Sequence, residues 1–223
     1  MMRRTAQALG FASVRLRSRP IGGRAIVVLG DPQFSCTTSV VRLPRGLGRA
    51  VHRVASGIPG IEEHYLYPAS DLHLTVANLD ASPLGEKALG DRVAQAAAGF
   101  PPFQVELRGV AMTALSVYAQ VWDFSGELWR LRAAVEDRAS IRLPAARRLL
   151  GFVNVARFLR PSVGVVRTGV RNLGHTNFGR LTVREVEVVR TDKVLSGEGT
   201  RLISLARLGP GAAPEQSGST PPE

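Results

Sequence analysis

The sequence predicts an α+β fold built on a duplicated β-rich unit, and three observations lead there. Segments with strand-like alternation and segments with helical spacing succeed one another between residues 25 and 208. Two strand-like stretches, HLTVANL from His73 and FVNVARF from Phe152, read alike. Their sequels are also spaced alike. A strand begins at Phe103, 30 residues after His73, and another at Leu181, 29 residues after Phe152. Such an echo predicts two related halves whose motif strands lie side by side. With 223 residues and 44% apolar side chains, the chain can bury a substantial core, in one domain or in two small fused lobes.

Taken in order, Ala25–Leu29 (AIVVL) reads as a short buried strand. The stretch Val41–Ala55 turns helical from about Arg45, with Leu47, Val51 and Val54 at helical spacing. Glu63–Pro68 leads into a strand at Asp71–Leu79. There Leu72, Leu74 and Val76 face one way, and Asp71, His73 and Thr75 the other. Glu86–Ala98 is a helix, stopped by Gly99 and the Pro101–Pro102 pair. Phe103–Val110 alternates as a half-buried strand, and Ser116–Phe124 answers it as a hairpin partner. Glu127–Ala139 is a helix with Leu128, Leu131, Ala134 and Val135 on one stripe. Gly151–Phe158 is a strand, followed by a loop rich in Gly and Arg, then by strands at Leu181–Val189 and Arg201–Leu208.

The ends stand apart from this pattern. The first thirty residues hold six arginines, and no acid precedes Asp31. Residues 1–24 are therefore expected to form a basic, flexible extension, with an organelle transit peptide as the competing reading. The tail from Gly209 to Glu223 (GPGAAPEQSGSTPPE) has little to bury and is expected to be disordered. The globular domain is thus expected to span residues 25–208.

Composition narrows the function. A net charge of +11 suits an anionic partner such as RNA, a nucleotide or a membrane surface. Only Lys87 and Lys193 among the 29 cationic side chains are lysines, and arginine suits bidentate phosphate contacts. Biased codon usage produces the same excess, so the charge alone does not decide. No apolar run approaches the roughly 18 residues of a membrane span. One cysteine, Cys36, excludes an internal disulfide and makes a reducing compartment, the cytoplasm, the expectation. Glycine-rich phosphate loops, paired CxxC motifs and metal-like acidic clusters are absent from the sequence. Trp122 and Trp129 lie in segments of regular apolar spacing and are expected in the core.

The chemistry concentrates around His73. An imidazole and a hydroxyl two residues apart on one strand face can both reach one phosphate, and Phe152 and Asn154 hold the matching places in the echo. On YPASDLHLTVANL, on GFVNVARF, and on the closing LTVREVEVVRTDK and RLISLARL, the chain resembles the 2H phosphoesterase superfamily. This is the 2′-5′ RNA ligase and RNA cyclic phosphodiesterase group, marked by two H-x-[T/S]-x motifs about 80 residues apart; here the spacing is 79. The resemblance covers about Ala25 to Leu208.

The resemblance implies a bilobal, pseudo-symmetric fold, with antiparallel sheets, helices packed outside and a central cleft. It implies action on 2′,3′-cyclic phosphate or 2′-5′ linkages, with no metal or cofactor. It makes RNA or a nucleotide with a terminal or cyclic phosphate the partner of a monomer. One family histidine takes a proton from the attacking oxygen and the other gives one to the departing oxygen, while the hydroxyls hold the phosphate.

In this chain His73 and Thr75 are the implied catalytic residues. Phe152 cannot move a proton, so impaired catalysis is expected, or a phosphate-binding module without turnover. Asn154 and Arg157 are expected to hold phosphate, and Tyr67 and His175 to line the pocket. His64 is expected at the surface and His52 on a solvated helix face.

Overall fold

The computed structural model describes residues 7, 11, 35–142, 150–160, 163–192 and 194–209. The expected strand at Ala25–Leu29 and the tail beyond Gly209 lie outside the described residues. Of the expected N-terminal extension only Gln7 and Phe11 are described, and both are buried.

The elements follow in the order β1 (Cys36–Arg42), α1 (Arg45–Ser56), a short 3₁₀ turn at Ile61–Glu63, β2 (Tyr65–Leu66) and β3 (His73–Asn78). Next come α2 (Glu86–Ala98), β4 (Phe103–Met112), β5 (Ser116–Trp122), α3 (Glu127–Arg138) and β6 (Gly151–Arg157). The chain closes with α4 (Gly164–Arg171), β7 (Asn177–Val183), β8 (Glu185–Thr191) and β9 (Arg201–Arg207). The fold is α+β, with four helices against one antiparallel sheet of nine strands among the described residues.

Strand order is β7-β4-β5-β6-β3-β1-β8-β9, with β2 added against β6. The two motif strands are neighbours, joined by one ladder pair, Leu74 with Val153. Beyond that pair they part, and β2 takes the place beside β6, with Tyr65 opposite Arg157 and Leu66 opposite Ala156.

Four strands fan out on each side of this seam, but they are not the two sequence halves. The β4–β5 hairpin follows β3 in the chain yet joins β6, and the β8–β9 hairpin follows β6 yet joins the β3 side. Helices cross over in the same way. α3 packs on β3 and α2 on β8 and β9, whereas α1 reaches β6 and β7 and α4 reaches β4. One apolar cluster runs beneath the whole sheet, from Leu43 and Leu74 to Val153 and Leu181.

Three elements differ from expectation. β1 (CTTSVVR) was not expected as a strand, because its first half is polar. Buried Thr38 and Ser39 satisfy their hydroxyls on the Ala77 carbonyl, so a polar sequence fits inside the sheet. The Gly/Arg loop contains α4, whose two glycines mask the stripe formed by Val166 and Val170. The expected strand Leu181–Val189 is two strands that break at Arg184, where two exposed residues in a row, Arg184 and Glu185, shift the alternation by one place.

A tight contact in β4 gives a direct check of this packing. Gly109 has φ of +82°, and a Cβ there would stand 2.6 Å from the Gly174 carbonyl oxygen and 2.7 Å from Gln120 Oε1. Gly109→Ala should cost about 2 kcal/mol from backbone strain and crowding, read as a lower urea midpoint with unchanged slope.

Candidate functional site

Leu74 and Val153 are fully buried on the core face. Their neighbours, His73 and Thr75 on β3 and Phe152 and Asn154 on β6, therefore project from the opposite face. The echo thus places the imidazole and the amide on one face of one sheet. Thr75 and Asn154 are half-buried, and among the described residues neither side chain is hydrogen-bonded.

His73 is 2% exposed. Its Nδ1 lies 2.7 Å from the Asp71 carbonyl oxygen. A carbonyl only accepts, so Nδ1 carries the hydrogen and the neutral ring keeps its lone pair on Nε2. Burial, together with the Arg42 and Arg157 guanidinium charges, pushes the imidazole pKa down to about 4, against the pull of the Asp71 carbonyl. At neutral pH His73 is a proton acceptor, not a donor. The Tyr67 ring stands edge-on, 6.0 Å from it.

Arg157 reaches this group through a bulge. Val117 and Tyr118 of β5 face Ala156 and Asn154, leaving Val155 as the extra residue and turning Arg157 to the Asn154 face. Arg157 Nε then donates to the Tyr67 hydroxyl at 3.4 Å. Tyr67 is buried, which raises its phenol pKa while Arg157 opposes the rise. Its backbone is held at both ends, since the amide donates to the Val155 carbonyl and the carbonyl accepts from His52 Nδ1 at 2.9 Å.

Two arginines were missed by sequence reasoning. Arg42 pairs directly with His73 across β1 and β3, donates to Glu187 at 3.0 Å, and shares the Asp71 carbonyl at 3.5 Å. Reading Val41–Ala55 as the approach to a helix hid it. Arg132, on α3, is 6% exposed and donates at 2.6 Å each to the Thr75 carbonyl and the Leu150 carbonyl. It bridges the two motif strands where their ladder has parted. Its position beside the Leu128–Leu131–Val135 stripe was the available signal.

Four expectations need correction or placement. His52 is not on a solvated face; it is half-buried and tied to Tyr67. His64 is not at the surface: it is 7% exposed, accepts from the Leu159 amide at 3.3 Å and stands edge-on to Phe158. Burial lowers its pKa. His175 is exposed on the turn entering edge strand β7, with β4, β5 and β6 between that strand and β3. The expected core residues Trp122 and Trp129 are half-buried, Trp122 donating to the Arg108 carbonyl. Among the described residues no group of His, Cys, Asp and Glu could hold a metal ion, and no helix is long and apolar enough to cross a membrane.

No protein-family model and no curated protein matches the chain. Solved structures do. Escherichia coli LigT complexed with ATP superimposes with a TM-score of 0.59 at 17% identity, over 78% of this chain and 98% of that one. The chain has the LigT fold. TT0787 of Thermus thermophilus matches with a TM-score of 0.57 at 20% identity, over 80% of this chain and 100% of its own. A protein described as a phosphoesterase matches with a TM-score of 0.56 at 17% identity, over 78% and 98%. LigT has also been solved with NADP+, phosphate and 3′-AMP. The similarity to LigT and phosphoesterase structures runs over about 78% of the chain.

Proposed function

We propose that the chain is a 2H phosphoesterase-like protein that binds RNA ends or nucleotides through a terminal or cyclic phosphate, with catalysis impaired at the second motif. The two sheet halves act as pseudo-symmetric lobes around a cleft opened at the β3–β6 seam. The observation that carries this reading is a buried, neutral His73 between two guanidinium groups, across the seam from the Asn154 amide. In this account Nε2 of His73 takes the proton from an attacking hydroxyl or water. Thr75, Asn154, Arg42 and Arg157 hold the phosphate oxygens, and Tyr67 positions Arg157. The LigT complexes with ATP and 3′-AMP make nucleotides fitting probes for this chain.

Phe152 leaves no group at its position to protonate the leaving oxygen. A missing general acid costs roughly 10²–10⁴ in rate, so binding should be the dominant activity. His175, on its exposed turn, is a candidate to line the outer end of a longer ligand.

Titration with 3′-AMP tests the reading. Wild type should bind with an affinity that falls as salt rises, and His73→Ala should weaken binding about tenfold or more. Binding unchanged by that substitution would overturn the assignment. With 2′,3′-cyclic AMP, wild type should turn over slowly or not at all, and Phe152→His should raise the rate.

A further inference from the structure

The Phe152 end of the site is covered by a side chain from the start of the same polypeptide. Phe11 is 2% exposed although it belongs to an arginine-rich stretch of sequence without an acidic residue. Its ring stands 5.1 Å from Trp122 and, edge-on at 81°, 5.8 Å from Phe152. Phe152 in turn meets Tyr118 edge-on, with ring centres 4.6 Å apart. Ala111 and Leu150 complete this cluster, which is separate from the main core and sits on the other face of the sheet.

The cradle adjoins the candidate phosphate site directly. Tyr118 is the cross-strand partner of Asn154, and Gln120 that of Phe152. Phe11 packs on Trp122 and Phe152, so a phosphate held between His73 and Asn154 leaves its ring in place. A larger ligand running from Asn154 along β6 toward β5 meets the Phe11 ring. Edge-to-face packing favours an aromatic occupant, and phenylalanine at 152 supplies the floor that a histidine would have made polar.

We propose that Phe11 is an intramolecular ligand of this aromatic cradle, and that a nucleotide must displace it to bind beyond its phosphate. The inference rests on the phosphate-site reading for the identity of the competitor, but the cradle itself does not. Because Phe11 belongs to the same chain as the cradle, its competition with dilute nucleotide does not depend on protein concentration. The apparent affinity of wild type is then reduced by the fraction of molecules in which the cradle is open.

The test uses the full chain with Phe11→Ala, and Phe11→Leu as the conservative variant. Nuclear Overhauser contacts between the Phe11 ring and the Trp122 and Phe152 rings should be present in wild type; their absence overturns the proposal. Inorganic phosphate should bind wild type and both variants equally. Affinity for 3′-AMP should rise about tenfold in Phe11→Ala, with Phe11→Leu between the two. Unchanged or weaker 3′-AMP binding in Phe11→Ala, with phosphate binding intact, overturns the competition. If neither phosphate nor 3′-AMP binds any of the three proteins, the phosphate-site reading fails and the competition fails with it. Ring contacts in that case would still establish Phe11 as the cradle's occupant.

Discussion

Replacing Arg132 with methionine should destabilise the fold by about 3–5 kcal/mol, the usual cost of removing one member of a buried charged group. The loss corresponds to a melting temperature lower by on the order of 10 °C for a chain of this size. Burial lowers the Arg132 pKa to about 10, opposed by Asp123 and Glu136, so the guanidinium is charged at neutral pH. Methionine matches its apolar stem but leaves the Thr75 and Leu150 carbonyls without their donor. It also removes the positive charge that faces buried Asp123 and Glu136, each 3% exposed. Arg132→Lys should rescue little, because one ammonium does not span both carbonyls as a planar fork does. Exposed Arg130 is the control: Arg130→Met should change the melting temperature by less than about 1 °C. Equal melting temperatures for Arg132→Met and wild type would mean that the bridge contributes nothing.

Stability should fall as pH drops from about 6.5 toward about 4, by about 3 kcal/mol from His73 alone. The sign follows from which state binds the proton. The unfolded chain takes up a proton near pH 6.5, whereas the folded chain resists until about pH 4. Lowering the pH through that window therefore favours unfolding, and above it the group contributes no pH dependence. His64, also lowered by burial, adds in the same direction. Urea midpoints measured between pH 7.5 and 4 should show the slope, and His73→Gln should flatten it. A bound phosphate dianion replaces the solvation that the imidazolium lacks, so inorganic phosphate should raise the His73 midpoint in an NMR titration. A His73 ring that titrates near 6.5 in the folded protein would contradict the buried, neutral base.

Much of the scaffold was legible because local signals agreed with tertiary packing. α2 runs from Glu86 to Ala98 as read, since Gly99 and the proline pair end it and Leu89, Val93, Ala96 and Ala97 form a true inner face. β4 shows the alternation its sequence promised, with Phe103, Val105 and Leu107 buried and Gln104 and Arg108 exposed. β1 was not legible, because Thr37, Thr38 and Ser39 are buried through long-range partners that no local window contains.

The site divides in the same way. His73 and Thr75 are proposed from their spacing, Asn154 from the echo, and Arg157 from the family resemblance. Arg42 reaches His73 only through sheet register, and Arg132 reaches the Thr75 carbonyl only through a helix crossing. The histidine misreadings share that cause: His52 and His64 are held by Tyr67 and Leu159, partners that sequence position does not announce.

The exchange of hairpins between the two sides of the sheet also shapes how the protein must fold. Arg42 and Glu187, an ion pair on adjacent strands, are 145 residues apart in the chain. Neither side of the sheet can be completed before most of the polypeptide is available, and a fragment ending after β5 lacks β6 and β8, the strands that flank β3 and β1. Closure of such distant contacts makes acquisition of the native state slow relative to helical proteins of equal length. During synthesis, β3 waits with an open edge until β6 emerges, and β1 until β8 does.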